Sequence, residues 1–201
     1  MRSTLDKLIS GTGLLVAVVL LIAGGLLTWA GAFVGGQVHD QLADQAITMP
    51  SGDALASLPQ ADQDALKKYA NQPLLKGPQA KAYADHFIHA HLVEMVQGTG
   101  IAANYAAVGA AASQACASDQ GASEGTAADC TKYTALKGTY FQGDTLRGLL
   151  LYGYAFATIG TIAWFAAIAA YVGGVLLLIL ALLGFVHANR LHGGKSGPDA
   201  A

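Results

Sequence analysis

The sequence predicts an all-α membrane protein in which two transmembrane helices flank a helical extracytoplasmic domain. Of its 201 residues, 53% are hydrophobic and only 12% are charged. The charged residues concentrate between two uncharged stretches, 8–39 and 148–186, which is a distribution typical of membrane proteins. The formal net charge is −2 and no cluster of Lys and Arg is present, so we expect no nucleic-acid partner.

The first uncharged stretch predicts one membrane span. Its most continuous apolar part, 14–33, matches the roughly 20 residues that cross a bilayer. A cleaved signal peptide is the alternative, but its apolar core is usually only about 7–15 residues long. We therefore expect a cytoplasmic tail at 1–12 and a retained transmembrane helix at 13–36. Gly31 and Gly35 have the Gly-x-x-x-Gly spacing that allows close packing, either against the second membrane helix or against another copy.

The segment 37–162 between the two apolar stretches is the predicted extracytoplasmic domain. The first helix is expected to continue through 37–45, with Val38 and Leu42 on one face. Prolines and glycines then delimit predicted helices at 60–71 and 78–96, and a small-residue helix is expected from Thr99.

Cys116 and Cys130 are the only cysteines, and they flank a predicted mobile loop at 117–129. A disulfide closing a loop of about 15 residues stabilises a small domain by ~3 kcal/mol in the chain-entropy model. The alternative, two free thiols or a redox pair, lacks the Cys-x-x-Cys spacing and neighbouring cations. We favour the disulfide, and we expect a short helix at 131–140 and a turn at 141–144.

The last apolar run, from Gly148 to Val186, would measure roughly 58 Å as one helix, nearly twice the ~30 Å hydrocarbon core. A hairpin would have to turn near Gly173 and Gly174, which leaves too few residues for a second crossing. One unusually long helix is therefore expected, starting at about residue 144 with Asp144 or Thr145 as its cap. Its spanning part is 163–186, followed by a C-terminal tail at 187–201. A ladder of small residues on this helix provides a further packing face: Ala166, Ala170 and Gly174.

Three weak signals agree on the orientation. Arg2 and Lys7 precede the first span and Arg190 and Lys195 follow the second, as expected when both termini are cytoplasmic. A cysteine pair favours an oxidising exterior for the central domain. Two crossings also return the chain to its starting side. We expect a multi-pass protein of the cell membrane.

Three histidines on the predicted 78–96 helix suggest metal chemistry. At 100° per residue His86 and His89 fall on the polar side and His91 on the apolar stripe, so the three do not converge on one ion. His86 and His89 are the only candidate metal ligands, and a zinc site normally needs three or four. We expect no metal, with His86 and His89 solvated and His91 packed and hydrogen-bonded to another element; a pH-sensitive contact at His91 is left open.

Three segments carry a family resemblance: QVHDQL at 37–42, KAYADHFIHAHL at 81–92 and FQGDTLRGLLL at 141–151. In these segments the chain resembles a family of actinobacterial two-helix membrane proteins, many of which carry the label aromatic ring-opening dioxygenase. The resemblance covers most of the chain. It implies an actinobacterial cell membrane and a helical external domain, and it implies no established activity.

The dioxygenase label requires a ligand set such as two histidines and one carboxylate converging on iron. The helical positions of the available residues do not form that set, so we expect no catalytic residues and no cofactor. Our leading hypothesis is a non-enzymatic membrane protein acting in assembly or interaction, as a homo-oligomer or as an accessory subunit of a larger membrane complex. Its partners are the lipid bilayer and itself or another membrane protein. The alternatives are an oligomeric pore or transport component and a metal-dependent enzyme. A pore would need polar or ionisable residues inside the spans, and Thr28 is the only clearly polar candidate in the central and outer part of the first span, which argues weakly against conduction.

Overall fold

The structure, a computed structural model, describes the backbone of residues 2–118 and 124–193 and the side chains of residues 5–117 and 127–190. Within these ranges the chain is helical without a β-strand, and one isolated antiparallel bridge joins Thr48 to Pro73. Two of the described helices are long and apolar enough to cross a membrane, with 18-residue windows of mean hydropathy 2.4 and 2.6. The predicted helical class and the two long apolar helices are confirmed.

Seven α-helices are formed by the described residues. They are α1 (Arg2–Asp44), α2 (Asp53–Ala56), α3 (Gln60–Leu66), α4 (Gly77–Tyr83), α5 (His89–Met95), α6 (Tyr105–Ser118) and α7 (Glu124–Gly193). A 3₁₀ turn at Lys67–Tyr69 follows α3, and a π-helical segment at Ala84–Ile88 joins α4 to α5. The chain divides into a first unit, residues 1–35 and 159–201, and a second unit, residues 36–158.

The helix α7 begins well before the predicted start near residue 144. The predicted short helix at 131–140 and turn at 141–144 are wrong, because both segments lie inside α7. Gly143 belongs to the predicted turn, but in the structure it faces Leu92. A Cβ atom at Gly143 would come within 2.8 Å of the Leu92 Cδ2 atom. Residues 124–129 of the predicted loop are also helical, and residues 119–123 of that loop lie outside the described residues.

Asp144 does not cap α7 as predicted. Its Oδ2 accepts a hydrogen bond of 3.1 Å from the amide of Tyr105, the first residue of α6. The side chain of Asn104 accepts a second bond, 2.9 Å long, from the Ala107 amide. These two acceptors satisfy amides that a helix start leaves unpaired, which explains why α6 begins at Tyr105 and not at the predicted Thr99.

The predicted helices at 60–71 and 78–96 are both present but interrupted. The first becomes α3 and the 3₁₀ turn, and it ends before Asn71, whose φ of 59° is incompatible with a right-handed helix. The second is divided by the π-helical segment. Its start is fixed by Gln79, whose buried side-chain oxygen accepts 3.0 Å hydrogen bonds from the amides of Leu75 and Lys76.

One buried apolar cluster of the second unit lies between α5, α6 and α7. It contains the buried residues Leu92, Val96, Val108 and Tyr140. The Tyr140 hydroxyl donates a hydrogen bond to the Leu92 carbonyl, which satisfies a polar group inside this apolar cluster. The predicted disulfide joins α6 to α7 through Cys116 and Cys130, whose Cα atoms are 4.6 Å apart.

In the first unit, α1 and α7 pack through small residues. Their buried positions include Ala17, Ala167 and Ala181. Small side chains let two helix backbones approach closely, and most of the large apolar side chains on these helices point away from the contact and are exposed.

Replacing Leu92 by Ala tests the core of the second unit. Removing a fully buried leucine side chain costs about 2–5 kcal/mol, so we expect a clear loss of stability in thermal unfolding of the purified full-length chain. The neighbouring Val93 is 43% exposed, and Val93→Ala is the matched control with an expected change of under about 0.5 kcal/mol. Equal destabilisation by the two variants would contradict this core.

Candidate functional site

The π-helical segment 84–88 places several ionisable side chains of the second unit close together. A π-helix closes i to i+5 hydrogen bonds and therefore adds one residue to a turn, which changes the direction of every side chain that follows. Such segments are frequent at functional sites. Asp85 and His86 lie in this segment, and Lys81, His89 and His91 lie within a few residues of it.

Asp85 is the centre of an ionic cluster. Its two carboxylate oxygens accept separate hydrogen bonds, one from Lys81 one turn earlier and one of 3.2 Å from Arg147 Nη2 on α7. The Lys81 ammonium also lies 5.6 Å from the ring centroid of Tyr154, within cation–π range. The cluster therefore joins α4 and the π-helical segment to α7.

The environment of Asp85 favours its charged form. Partial burial by itself raises the pKa of this carboxyl, but the hydrogen bonds and positive charges of Lys81 and Arg147 outweigh that effect and hold the pKa below its usual range. A carboxylate with a depressed pKa and two cationic partners is a poor general base. The arrangement is that of a structural ion pair.

The three histidines have three different environments. His86 Nδ1 lies 2.8 Å from a carboxylate oxygen of Asp62 on α3, and His91 Nδ1 lies 2.7 Å from the Phe87 carbonyl in the adjoining π-helical segment. The Nδ1 atom of His89 is buried without a hydrogen-bond partner among the described residues. The His86 side chain is 38% exposed, in agreement with its predicted solvation, whereas the buried Nδ1 atom of His89 differs from the solvation predicted for that residue. The contact of His91 is with Phe87, four residues earlier in the chain. Counting 100° per residue does not give the directions of His89 and His91, because the π-helical segment rotates the residues after it.

No three His, Cys, Asp or Glu side chains within residues 5–117 and 127–190 are arranged to hold a metal ion. His86 and His89, the candidate ligands from the sequence, do not belong to such a group. The nearest carboxylate partner of His86, Asp62, forms a single pair with it.

A row of exposed apolar side chains runs along α7 within the second unit. It consists of Phe141, Leu149, Tyr152 and Phe156, which are 54–68% exposed. At 100° per residue these four positions fall within an arc of about 80°, so they lie on one face of the helix, which also carries the exposed Thr145 and which we call the α7 stripe. Tyr105 of α6 extends it, since its ring centroid lies 5.9 Å from that of Phe141.

The α7 stripe was not found from the sequence. Its periodicity is present there, but the run after Gly148 is apolar on every side, so periodicity alone could not separate the buried face from the exposed one. The buried face of α7 is defined by two contacts of the tertiary structure, that of Gly143 with Leu92 of α5 and that of Ala157 with Gly77 of α4. A Cβ atom at Gly77 would collide with Ala157.

The predicted helix-packing residues belong to the first unit. Gly31 lies against Trp164, where a Cβ atom would be 3.0 Å from the indole Cδ1, and Gly174 lies against Leu21. Nothing lies within 4 Å of a Cβ atom at Gly35. Ala166 and Ala170 are partly buried. The contact seen at Gly31 is with α7 of the same chain.

The chain was compared with protein-family models, with curated proteins and with solved structures, and none of the three comparisons gave a match.

Neutralising Asp85 tests the ionic cluster. Because the folded-state pKa of Asp85 is depressed, its stabilising effect is present above the unfolded pKa and is lost as the pH falls through the folded pKa. We expect Asp85→Asn to lower the melting temperature at neutral pH and to remove part of the acid-side loss of stability. Thermal unfolding at a series of pH values measures both effects. Asp53→Asn, at an exposed position, is the control, and an identical pH profile for the two variants would contradict the role of Asp85.

Proposed function

We propose that this chain is an integral membrane protein in which α1 and α7 cross the bilayer. The spanning parts are 13–36 and 163–186, both termini are cytoplasmic, and residues 37–162 lie outside. The exposure of the two helices supports this proposal. Only 11% and 17% of their most apolar windows are buried, whereas the core helix of a soluble protein is mostly buried.

The proposed activity is assembly: the external domain holds a second copy of the chain or another subunit of a membrane complex. The α7 stripe is the observation that carries this proposal. Contiguous apolar patches of more than a few hundred Å² are rare on isolated soluble surfaces and mark interaction sites. Burying one large apolar side chain is worth about 1.5–3 kcal/mol, so four neighbouring side chains provide a substantial driving force for association.

The ionic cluster and the disulfide support a structural role for the domain. Arg147 of α7 pairs with Asp85 of the π-helical segment, Lys81 of α4 lies over the Tyr154 ring of α7, and the disulfide joins α6 to the same helix. These contacts hold α7 in place while its exposed face stays available. A rigid face costs less conformational entropy on binding than a mobile one.

Thr28, the polar residue considered for a pore, has a different environment. Its hydroxyl donates a 2.8 Å hydrogen bond to the Gly24 carbonyl and lies 3.3 Å from the Tyr171 hydroxyl. Tyr171 in turn packs against Gly24, where a Cβ atom would come within 2.9 Å of its ring. These contacts favour a role of Thr28 in helix pairing over a role in ion conduction. The proposed function involves no cofactor and no nucleic-acid partner.

The proposed topology is tested by labelling introduced cysteines with a membrane-impermeant maleimide in intact cells. Lys67 and Arg190 are both exposed, so Lys67→Cys and Arg190→Cys form a matched pair on opposite proposed sides. The native cysteines are joined in a disulfide and leave the parent chain unlabelled. We expect labelling at position 67 in intact cells and at position 190 only after the membrane is broken. The reverse pattern would overturn the topology.

The proposed assembly is tested by placing a charge on the α7 stripe. We expect Tyr152→Asp and Phe156→Asp to reduce the multimeric or partner-bound fraction at least ~10-fold, because a buried unpaired carboxylate is strongly disfavoured. Native mass spectrometry of gently solubilised protein measures that fraction and separates a second copy from a different subunit by mass. Val93→Asp, at an exposed apolar position on α5, is the control. Wild-type protein that is monomeric in every lipid and detergent, without a co-purifying partner, would refute assembly.

A further inference from the structure

The side of α7 that packs within the second unit repeats every seven residues. Gly143 lies against Leu92, Leu150 is 4% exposed, and Ala157 lies against Gly77. These three α7 positions are seven residues apart, so a close contact recurs after every two turns of the helix. A repeat of seven on the buried side predicts a repeat of seven on the opposite, exposed side.

The α7 stripe follows this repeat on the exposed side. Thr145 and Tyr152 are seven residues apart, and Phe141, Gly148 and Ala155 form a second row with the same spacing. At 100° per residue, both rows lie within about 20° of the direction opposite the buried row. Along the chain the two rows alternate at steps of four and three residues. This is the spacing of the a and d positions of a coiled coil, with Thr145 and Tyr152 as a.

Large and small residues alternate along the stripe. Tyr152 is 68% exposed. Nothing lies within 4 Å of a Cβ atom at Gly148, and the exposed Ala155 has only a methyl group. In a parallel pair of helices, an a residue packs into a hole that includes the d residues before and after it on the facing helix. Gly148 and Ala155 of one copy would therefore leave room for the Tyr152 ring of the other.

The charges in this part of α7 also suit a second copy. Asp144 and Arg147 are the only charged residues between positions 141 and 156, and both are engaged within their own chain, with the Tyr105 amide and with Asp85. Residues near a two-fold axis meet their own equivalents, so a charge there would repel its copy. The stripe carries no such charge. It also lacks the charged groups by which an interface commonly selects a different subunit.

The area of the stripe is close to that of a specific interface. Tyr105, Phe141, Tyr152 and Phe156 are 41–68% exposed. At about 200 Å² for each aromatic side chain, they offer roughly 450 Å² per copy. Two copies would bury roughly 900 Å² through these rings, and Leu149 brings the total to the ~1,000 Å² at which specific interfaces begin. Anchoring in one membrane raises the effective concentration of the copies, which favours association through an interface of this size.

We propose that the α7 stripe binds the α7 stripe of a second copy, so that two parallel α7 helices pair about a two-fold axis. This proposal rests on the membrane insertion and the assembly described under Proposed function. Copies inserted in one membrane have the same orientation, so their α7 helices run parallel and each stripe residue is level with its own equivalent. Thr145 and Tyr152, in the a positions, lie next to the axis.

The test is a charge exchange at Thr145, whose side chain is exposed. Two full-length copies with different affinity tags are co-expressed, and co-purification of one with the other after gentle solubilisation measures pairing. We expect Thr145→Glu in both copies, or Thr145→Lys in both, to lower co-purification at least ~10-fold, because like charges face each other across the axis. Thr145→Glu in one copy with Thr145→Lys in the other should restore it.

Leu146 provides the matched control. It is 39% exposed and is directed about 100° away from Thr145 around the helix axis. Leu146→Glu in both copies and Leu146→Lys in both copies should leave co-purification at the wild-type level.

A second measurement joins the copies covalently with a short bismaleimide. Thr145→Cys and Tyr152→Cys should each give a covalent dimer that contains both tags, and Leu146→Cys should give at least ~10-fold less. The native cysteines are joined in a disulfide, so the parent chain is the unreactive control.

Loss of co-purification without restoration by opposite charges would overturn the proposal, because a charge exchange restores only equivalents that face each other. Unchanged co-purification in the Thr145→Glu and Thr145→Lys copies would overturn it as well. A different subunit found by mass on the wild-type stripe, without a second copy, would refute this inference and leave the proposed assembly standing. Wild-type protein that is monomeric without a partner in every lipid and detergent would refute the assembly itself, and release of the chain from membranes by carbonate would refute insertion.

Discussion

Close approach at glycine is the constraint on which the packing of both units depends. In the second unit, Gly77 lets α4 reach Ala157, and Gly143 lets Leu92 reach α7. In the first unit, Gly31 and Gly174 do the same for Trp164 and Leu21. At each of these sites a Cβ atom would lie within about 3.1 Å of its neighbour, closer than ordinary van der Waals contact. Association through close packing suits a chain with few charges, because dispersion contacts do not depend on water being expelled.

The second unit is organised around α7. Polar contacts hold in place the preceding segments that the glycines allow to approach this helix closely. Asp85 and Arg147 hold the π-helical segment, Asp144 caps α6, and Tyr140 bonds the Leu92 carbonyl. Each of these contacts joins α7 to a different preceding segment. Asp85, Arg147 and Asp144 are therefore engaged in contacts between segments.

The proposed assembly uses a surface that helix packing leaves exposed. Helices facing α7 from one side leave the α7 stripe exposed on the other, and this face is large, aromatic and uncharged. In the first unit, the small residues that bring α1 and α7 together also leave a cleft beside them. Both surfaces follow from the same physical cause, since a close contact made with small residues leaves the large side chains directed outward. A protein partner fits the broad stripe.

The sequence by itself determined the helical class, the two long apolar helices and the disulfide between Cys116 and Cys130. These features depend on composition, on uninterrupted apolar length and on the count of cysteines, and none of these depends on how the helices pack. Only the tertiary structure decided where α7 begins, because Gly143 and Asp144 have the residue types of a turn but serve packing and the cap of α6. It also decided the directions of the His86, His89 and His91 side chains, because a single π-helical turn contains one extra residue and so changes the angle between successive side chains around the helix axis. The exposed face of α7 depended on it as well, because a run that is apolar on every side does not show which side its neighbours cover.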